Sequence, residues 1–172
     1  MRLTEGIIRD LKTYFEQHMQ EKLSTLQSAY EADYQDGIDL PVPAVYAFGR
    51  RGLAQSKAYP RIEIMAPDGG GMSVLRYGQN WTDAEHDVEI RVSLEGNDPG
   101  RLRLQLMRYA QAMWELFVER FFGTEPADYF ALHGEGDITI TYDGPSTESL
   151  ATAAPYYDSA TLSARVNKQE ED

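Results

Sequence analysis

The sequence predicts an α+β fold, with a mostly antiparallel sheet of four to five strands and two long amphipathic helices. Two long segments carry apolar residues at every third or fourth position, which is the period of a helix with one buried face. Several shorter segments alternate apolar and polar residues, as half-buried strands do. The strands come in sequential pairs, which favours antiparallel pairing and gives the element order α-β-(β)-β-α-β-β.

The first helix is predicted over Thr4 to Tyr30. Its apolar stripe consists of Leu3, Ile7, Leu11, Tyr14, Phe15, Met19, Leu23, Leu26 and Tyr30. A helix of this length spans about 40 Å, more than most cores need, so one end is expected to project from the domain. Residues 31–43 are acidic and contain an Asp36-Gly37 pair and two prolines, which predicts a connector.

Three strands are predicted before the second helix. Ala44 to Phe48 is predicted as a short strand that ends at a turn of Arg50, Arg51 and Gly52. Tyr59 to Met65 alternates apolar and charged residues. His86 to Glu95 repeats this alternation over a longer stretch and is the clearest strand in the sequence.

A loop of about 20 residues is predicted from Ala66 to Glu85, because this stretch is too long for a tight hairpin. It contains three consecutive glycines, but no helix start with Lys and Ser or Thr follows them, which argues against a phosphate-binding loop. The loop also carries the apolar residues Met72, Leu75, Tyr77 and Trp81. Either these side chains fold back on the core or they meet a partner, and the sequence leaves both possibilities open.

The second helix is predicted from Asp98 to Phe122, with Asp98 as N-cap and Pro99 at the first helical position. Its broad apolar face indicates that it packs centrally and covers one face of the sheet, leaving the other face partly free. Two more strands are predicted, over Asp137 to Asp143 and Ala160 to Val166. Residues 1–167 are therefore expected to form a single α+β domain, and residues 168–172 a disordered acidic tail.

Composition narrows the range of functions. The chain has 28 acidic and 16 basic residues and a formal net charge of -12, which opposes contact with a phosphate backbone. It has no cysteine, so disulfides and thiolate metal sites are excluded. No apolar run approaches the roughly 20 residues that cross a bilayer, and the N-terminal segment lacks the apolar core of a secretory signal. We therefore expect a soluble protein made in the cytoplasm.

No catalytic or metal-binding pattern is present. No two of the three histidines stand four positions apart on a helix, and no Gly-x-Ser-x-Gly motif occurs. The sequence therefore predicts no enzyme and no cofactor. Arginines concentrate at Arg50 and Arg51 and at Arg101 and Arg103, where they pair either with the protein's own acidic surface or with an acidic neighbour in an assembly.

The chain resembles the tail terminator, or tail completion, proteins of long-tailed bacteriophages. The resemblance lies in size, element order, acidic composition and the Asn97-Asp98-Pro99 start of the second helix directly after a strand. It implies a structural virion protein of the tail and neck, made in the host cytoplasm, whose hexameric ring caps the finished tail tube. Its implied partners are the tail tube protein and a head-tail connector or stopper protein, and DNA passes through the ring without specific binding.

The candidate subunit or tube interface has an apolar part and a basic part. Its residues are Met72, Leu75, Tyr77, Trp81, Arg50, Arg51, Arg101 and Arg103. A second interpretation is a small acidic protein-binding module without catalysis. Such a module would act either as an adaptor or as an inhibitor that mimics nucleic acid.

Overall fold

A computed structural model describes residues 4–49, 58–68, 72–77, 81–122, 129–131, 138–147 and 155–171. These residues contain two helices and eight strands, which confirms the predicted α+β class. The elements are α1 (Thr4–Tyr34), β1 (Val45–Phe48), β2 (Arg61–Met65), β3 (Met72–Tyr77), β4 (Trp81–Gly96), α2 (Pro99–Phe122), β5 (Tyr129–Ala131), β6 (Thr139–Tyr142), β7 (Ser146–Thr147) and β8 (Tyr156–Glu171).

Two long antiparallel strands, β4 and β8, form the spine of the sheet. Each has 16 residues and therefore spans about 50 Å at roughly 3.3 Å per residue. β2 and β3 pair in succession along the outer edge of β4, and β5, β6 and β7 pair along the outer edge of β8. β1 pairs with β2 in parallel, and the other described pairings are antiparallel, so the sheet is mostly antiparallel as predicted but has more strands than expected.

Both helices pack on the same face of this sheet. α1 and α2 run antiparallel to each other, since Asp10 near the start of α1 pairs with Arg120 near the end of α2. The sheet contributes alternate residues to the core, among them Ile64 of β2, Ile90 of β4 and Leu162 of β8, all fully buried. The sequence correctly predicts that helices cover one face, but it assigns that role to α2 alone.

The opposite face of the sheet is polar, yet it is buried over β2. Arg61 and Glu63 are each only 1% exposed, and the Arg61 guanidinium lies 3.5 Å from the Glu63 carboxylate and 5.6 Å from the centre of the Tyr59 ring. At β6 this face is open, because Thr139 and Thr141 are exposed. The predicted free face is therefore restricted to part of the sheet.

The prediction of a loop from Ala66 to Glu85 is wrong over much of that stretch. β3 occupies Met72–Tyr77, and β4 begins at Trp81, five residues before the predicted strand start at His86. The ladder with β8 explains this difference, because Trp81 pairs with Glu171 and so gains backbone hydrogen-bond partners that composition does not reveal.

The expectation of a disordered tail is also wrong where the structure describes the tail. β8 continues through residues 168–171, which pair with the first four residues of β4. The acidic composition of this segment suggests a solvated end, but a strand that pairs through its backbone tolerates charged side chains.

The start of α2 follows the sequence prediction. The Asp98 carboxylate accepts hydrogen bonds from the backbone amides of Gly100 (2.9 Å) and Arg101 (3.1 Å), as an N-cap does. Pro99 stands at the first helical position, where its missing amide hydrogen costs nothing. This cap fixes the point at which the chain leaves β4 and turns back over the sheet.

Candidate interaction surfaces

The four apolar residues singled out in the sequence lie on one β-hairpin. β3 pairs with the beginning of β4, from Met72 opposite His86 to Tyr77 opposite Thr82, with a register shift between Val74 and Arg76. The backbone thus brings Met72, Leu75, Tyr77 and Trp81 onto two adjacent strands. We call β3 and residues Trp81–Glu85 of β4 the distal hairpin.

The distal hairpin continues the sheet past the start of α1. The Thr4 hydroxyl in the first turn of α1 lies 3.0 Å from Nδ1 of His86, which follows the hairpin residues of β4 directly. From this point α1 runs toward the other end of β4, because Tyr30 near the end of α1 contacts Arg108 in the first half of α2. The hairpin therefore lies at one end of the molecule.

The arginines of α2 lie at the opposite end and are engaged within the chain. Arg101 donates to the carbonyl oxygen of Gly37, and Nε of Arg103 lies 3.0 Å from the carboxylate of Asp158. α2 begins just after β4 ends, so about 50 Å of strand separates these arginines from Trp81. Arg50 and Arg51 lie outside the described residues. Among the predicted interface residues that the structure describes, the apolar set and the arginines of α2 therefore lie at opposite ends of the sheet.

Asp158 is a buried charge at this end of the molecule. Its side chain is inaccessible to solvent, and this burial raises the pKa of its carboxyl group, while Arg103 and the backbone amide of Ser159 act in the opposite direction. The Arg103 guanidinium also lies 5.2 Å from the centre of the Tyr142 ring. Asp158 thereby holds Arg103 beside the β6 edge of the sheet.

Three exposed apolar side chains that the sequence does not predict lie on α2 and β6. Leu104 and Met107 on the outer side of α2 are 48% and 50% exposed, and Tyr142 at the end of β6 is 41% exposed. We call strand β6 with Tyr142 the β6 edge surface. The available signal was the position of Leu104 and Met107 on the side of α2 away from the buried Leu102 and Leu106.

A second exposed aromatic residue lies at the other edge of the sheet. Phe48, the last residue of β1, is 47% exposed, and the cationic groups of Arg9 and Lys12 from α1 lie 5.5 and 5.6 Å from its ring centre. Cations at this distance interact favourably with the face of an aromatic ring. We call β1 with Phe48, Arg9 and Lys12 the β1 edge surface.

A groove of about 400 Å³ lies on the polar face of the sheet. Its lining residues are Pro67, Asp87, Val88, Thr139, Ser163, Ala164 and Arg165. The Arg165 side chain donates a hydrogen bond of 2.8 Å to the Asp87 carboxylate, so these two charged residues of the groove pair with each other. Among the described residues, no group of three or more His, Cys, Asp or Glu side chains is placed to hold a metal ion.

Several carboxylates of this acidic chain are bound by arginines on other elements. Asp10 pairs with Arg120 at 2.8 Å, and Asp143 pairs with Arg91 at 2.5 Å. Arginines of the same chain therefore neutralise part of the negative charge of the described residues.

No protein-family model matches this chain, and the search of the curated proteins finds no match to its sequence. Neither of the two described helices is long and apolar enough to cross a membrane. The fold and the surfaces therefore define the class: an α+β protein with a distal hairpin and an exposed aromatic residue at each lateral edge of its sheet.

Proposed function

We propose that this protein is a tail terminator of a long-tailed bacteriophage, a structural subunit whose ring caps the tail tube and joins it to the head. The observation that carries the proposal is the separation of distinct surfaces along the β4–β8 spine. The distal hairpin lies at one end, and the start of α2 with Arg101 and Arg103 lies at the other. A subunit between tube and head needs two different end surfaces, one for each neighbour.

The distal hairpin is suited to contact the tube. In the described part of the sheet β3 pairs only with β4, so the outer edge of β3 has no strand partner there. An open strand edge binds another strand through backbone hydrogen bonds, and neighbouring side chains supply specificity. We therefore assign the tube contact to the hairpin that carries Met72, Leu75, Tyr77 and Trp81.

The charge of the protein agrees with the passage of DNA through a ring. A net charge of -12 on each subunit gives the ring a strongly negative field. Phosphate groups of DNA are repelled by such a field, so the duplex would move through the channel without specific binding. The proposed ring is hexameric, as in the phage family that the chain resembles.

The alternative of a nucleic-acid mimic receives less support from the side-chain geometry. A mimic needs carboxylates that are available to a basic enzyme in a row spaced like phosphates. Asp10, Asp36, Asp87 and Asp143 are instead paired with arginines of the same chain. An adaptor without catalysis is distinguished from a terminator by the experiment below.

The test is electron microscopy of the protein mixed with tail tubes of the phage that encodes it. We expect the wild type to form sixfold rings at tube ends. The double variant Leu75→Ser and Trp81→Ser should still form rings but leave tube ends uncapped, because it loses apolar contacts of the distal hairpin.

The matched control is Tyr34→Ser with Val42→Ser, which removes two exposed apolar side chains away from the hairpin, 66% and 46% exposed. This control should cap tubes like the wild type, and circular dichroism checks that every variant is folded. Bare tube ends with the wild-type protein would contradict the proposed function. Capping by the hairpin variant would contradict the role of the hairpin.

A further inference from the structure

We infer that Asp158 and Arg103 form an acid-sensitive latch between the sheet and α2. When the Asp158 carboxylate takes up a proton, it loses the charge that attracts Arg103, and the Arg103 side chain leaves the sheet while the fold stays intact. The inference goes beyond the proposed function, because it makes no use of the ring or of the distal hairpin.

The carboxylate of Asp158 is removed from water. Its side chain has no exposed surface, although Asp158 stands only two residues after the start of β8. On the neighbouring strand it lies opposite Leu94, which is also buried. Since water does not reach this carboxylate, groups of the protein have to compensate its charge.

This compensation is incomplete. Oδ1 of Asp158 accepts a hydrogen bond of 2.9 Å from the backbone amide of Ser159. Oδ2 lies 3.0 Å from Nε of Arg103, close enough for an ion pair, but it accepts no well-aligned hydrogen bond from the described residues. A buried carboxylate oxygen in this position is a favourable site for a proton.

The charges around Asp158 act in opposite directions. Burial is the largest influence and raises the pKa of the carboxyl group, and the nearby charge of Asp143 adds to this effect. Arg103 and the backbone amides of Ser159 and Gly144 lower the pKa, but the net result is a pKa above the ordinary value of 3.8. Asp143 is itself paired with Arg91.

Tyr142 at the end of β6 completes the surroundings of the latch. Its ring faces Arg103, and partial burial raises the pKa of its hydroxyl group, so it carries no charge in the neutral and acidic range. The titration of Asp158 is therefore the event that changes the charge next to Arg103.

Arg103 can leave its position without disturbing the core. Its side chain is 29% exposed, and its described contacts are the Asp158 carboxylate and the Tyr142 ring, whose centre lies 5.2 Å from Cζ. Tyr142 is 41% exposed, and a cation gains little from a ring at such an exposed site. The ion pair with Asp158 is therefore the main interaction that holds the Arg103 side chain.

The folded protein takes up the proton without unfolding. Because the folded-state pKa of Asp158 is raised above 3.8, Asp158 becomes protonated at a pH at which it would still be charged in the unfolded chain. This titration therefore adds to the free energy of unfolding as the pH falls through the folded-state pKa. The latch is closed at neutral pH and opens in the acidic range above 3.8.

An open latch changes the surface next to β6. It adds an unpaired cation from α2, and it uncovers the face of the Tyr142 ring on which Arg103 lies. The β6 edge surface is therefore more positive and more apolar in acid than at neutral pH.

Nuclear magnetic resonance of the full chain between pH 7 and about pH 3.5 tests the latch, because a carboxyl signal reports its own protonation. The carboxyl carbon signal of Asp158 should titrate with a midpoint above 3.8, and the Nε–Hε signal of Arg103 should move with the same midpoint. Circular dichroism should show that the chain stays folded while Asp158 titrates.

Variants separate the two members of the latch. Asp158→Asn cannot take up the proton, so its Arg103 signal at pH 7 should already resemble that of the wild type in acid. Arg103→Gln removes the cation that lowers the pKa of Asp158, so the midpoint should rise by about one further unit, whereas Arg103→Lys should stay closer to the wild type. The control Asp33→Asn removes an exposed carboxylate of α1 and should leave both titrations unchanged.

Three results would overturn the inference: an Asp158 midpoint at or below 3.8, an Arg103 signal that does not follow this titration, or unfolding of the wild type before Asp158 titrates. If Asp158→Asn does not fold, the titrations of the wild type and of Arg103→Gln still decide. Tube capping is measured separately, so a failure of the proposed function is recognised independently of the latch.

Discussion

Asp36 illustrates how one residue fixes the connector between α1 and β1. Its two carboxylate oxygens accept hydrogen bonds from the guanidinium group of Arg108, whose Cζ lies 4.3 Å from the centre of the Tyr30 ring. The ion pair with Arg108 holds the pKa of the Asp36 carboxyl group below its ordinary value of 3.8, and the amide of Ile38 adds a hydrogen bond. The connector is thereby attached to α2.

Replacing Asp36 by Asn should lower the melting temperature by a few degrees at pH 7. Because the folded-state pKa of Asp36 is lowered, its contribution to stability is present above the ordinary value of 3.8 and is lost as the pH falls through the folded-state pKa. The difference between variant and wild type should therefore shrink below pH 3.8. Thermal unfolding followed by circular dichroism at pH 7 and at lower pH measures it.

Asp33→Asn is the matched control, since Asp33 is an exposed carboxylate in the last turn of the same helix. It should change the melting temperature much less than Asp36→Asn at pH 7. Equal effects of the two substitutions at every pH would mean that Asp36 acts only through the net charge.

At the scale of elements, the outer ends of β4 and β8 depend on each other. Trp81 through Ala84 pair with residues 168–171, and this ladder supports the distal hairpin. A strand end without its neighbour loses backbone hydrogen bonds, so its amides exchange with solvent.

Deleting residues 168–172 should therefore increase amide hydrogen exchange in Trp81–Ala84 by an order of magnitude or more. The core strands around Ile90 should keep their protection, because their partners in β8 remain in place. Hydrogen–deuterium exchange with mass spectrometry measures both regions. Deletion of Asp172 alone is the control, and unchanged exchange after the longer deletion would mean that this tail does not support the hairpin.

The sequence predicts the elements whose burial repeats with a clear period. α2 was expected from Asp98 to Phe122 and is found at Pro99–Phe122, because its cap and its apolar face are both encoded locally. β3 and the outer ends of β4 and β8 were missed. Their stability comes from backbone pairing between distant segments, which leaves little trace in local composition.

The candidate surfaces were only partly predictable for a similar reason. The sequence shows that residues 104 and 107 are the apolar Leu104 and Met107. How much of each side chain stays exposed depends on how far neighbouring elements cover α2. Tyr142 lies on the helix-covered face, opposite Ala160, yet it stays 41% exposed because β6 is at the edge of the sheet.

At the scale of the whole molecule, the net charge of -12 affects assembly as well as contact with DNA. Two copies repel each other over long distances, and salt screens this repulsion beyond a Debye length of about 10 Å at 0.1 M. The proposed ring must form against this overall repulsion.

We therefore expect assembly of the wild type to tighten several-fold as sodium chloride is raised from low concentration to about 0.15 M, where screening is strong. Sedimentation equilibrium at several salt concentrations measures the dissociation constant. A contact held mainly by ion pairs would instead weaken with salt throughout this range, and that result would contradict the dominance of net charge.

The paired spine also has a consequence for how the chain folds. Every pair in the β4–β8 ladder joins residues at least 60 positions apart, so a large loop must close before the first pair forms. Folding slows as contacts become more distant in sequence, whereas α1 and α2 can form locally and early. Until β8 arrives, β4 exposes apolar residues and an unpaired edge, and a nascent chain in this state is prone to aggregate with its neighbours.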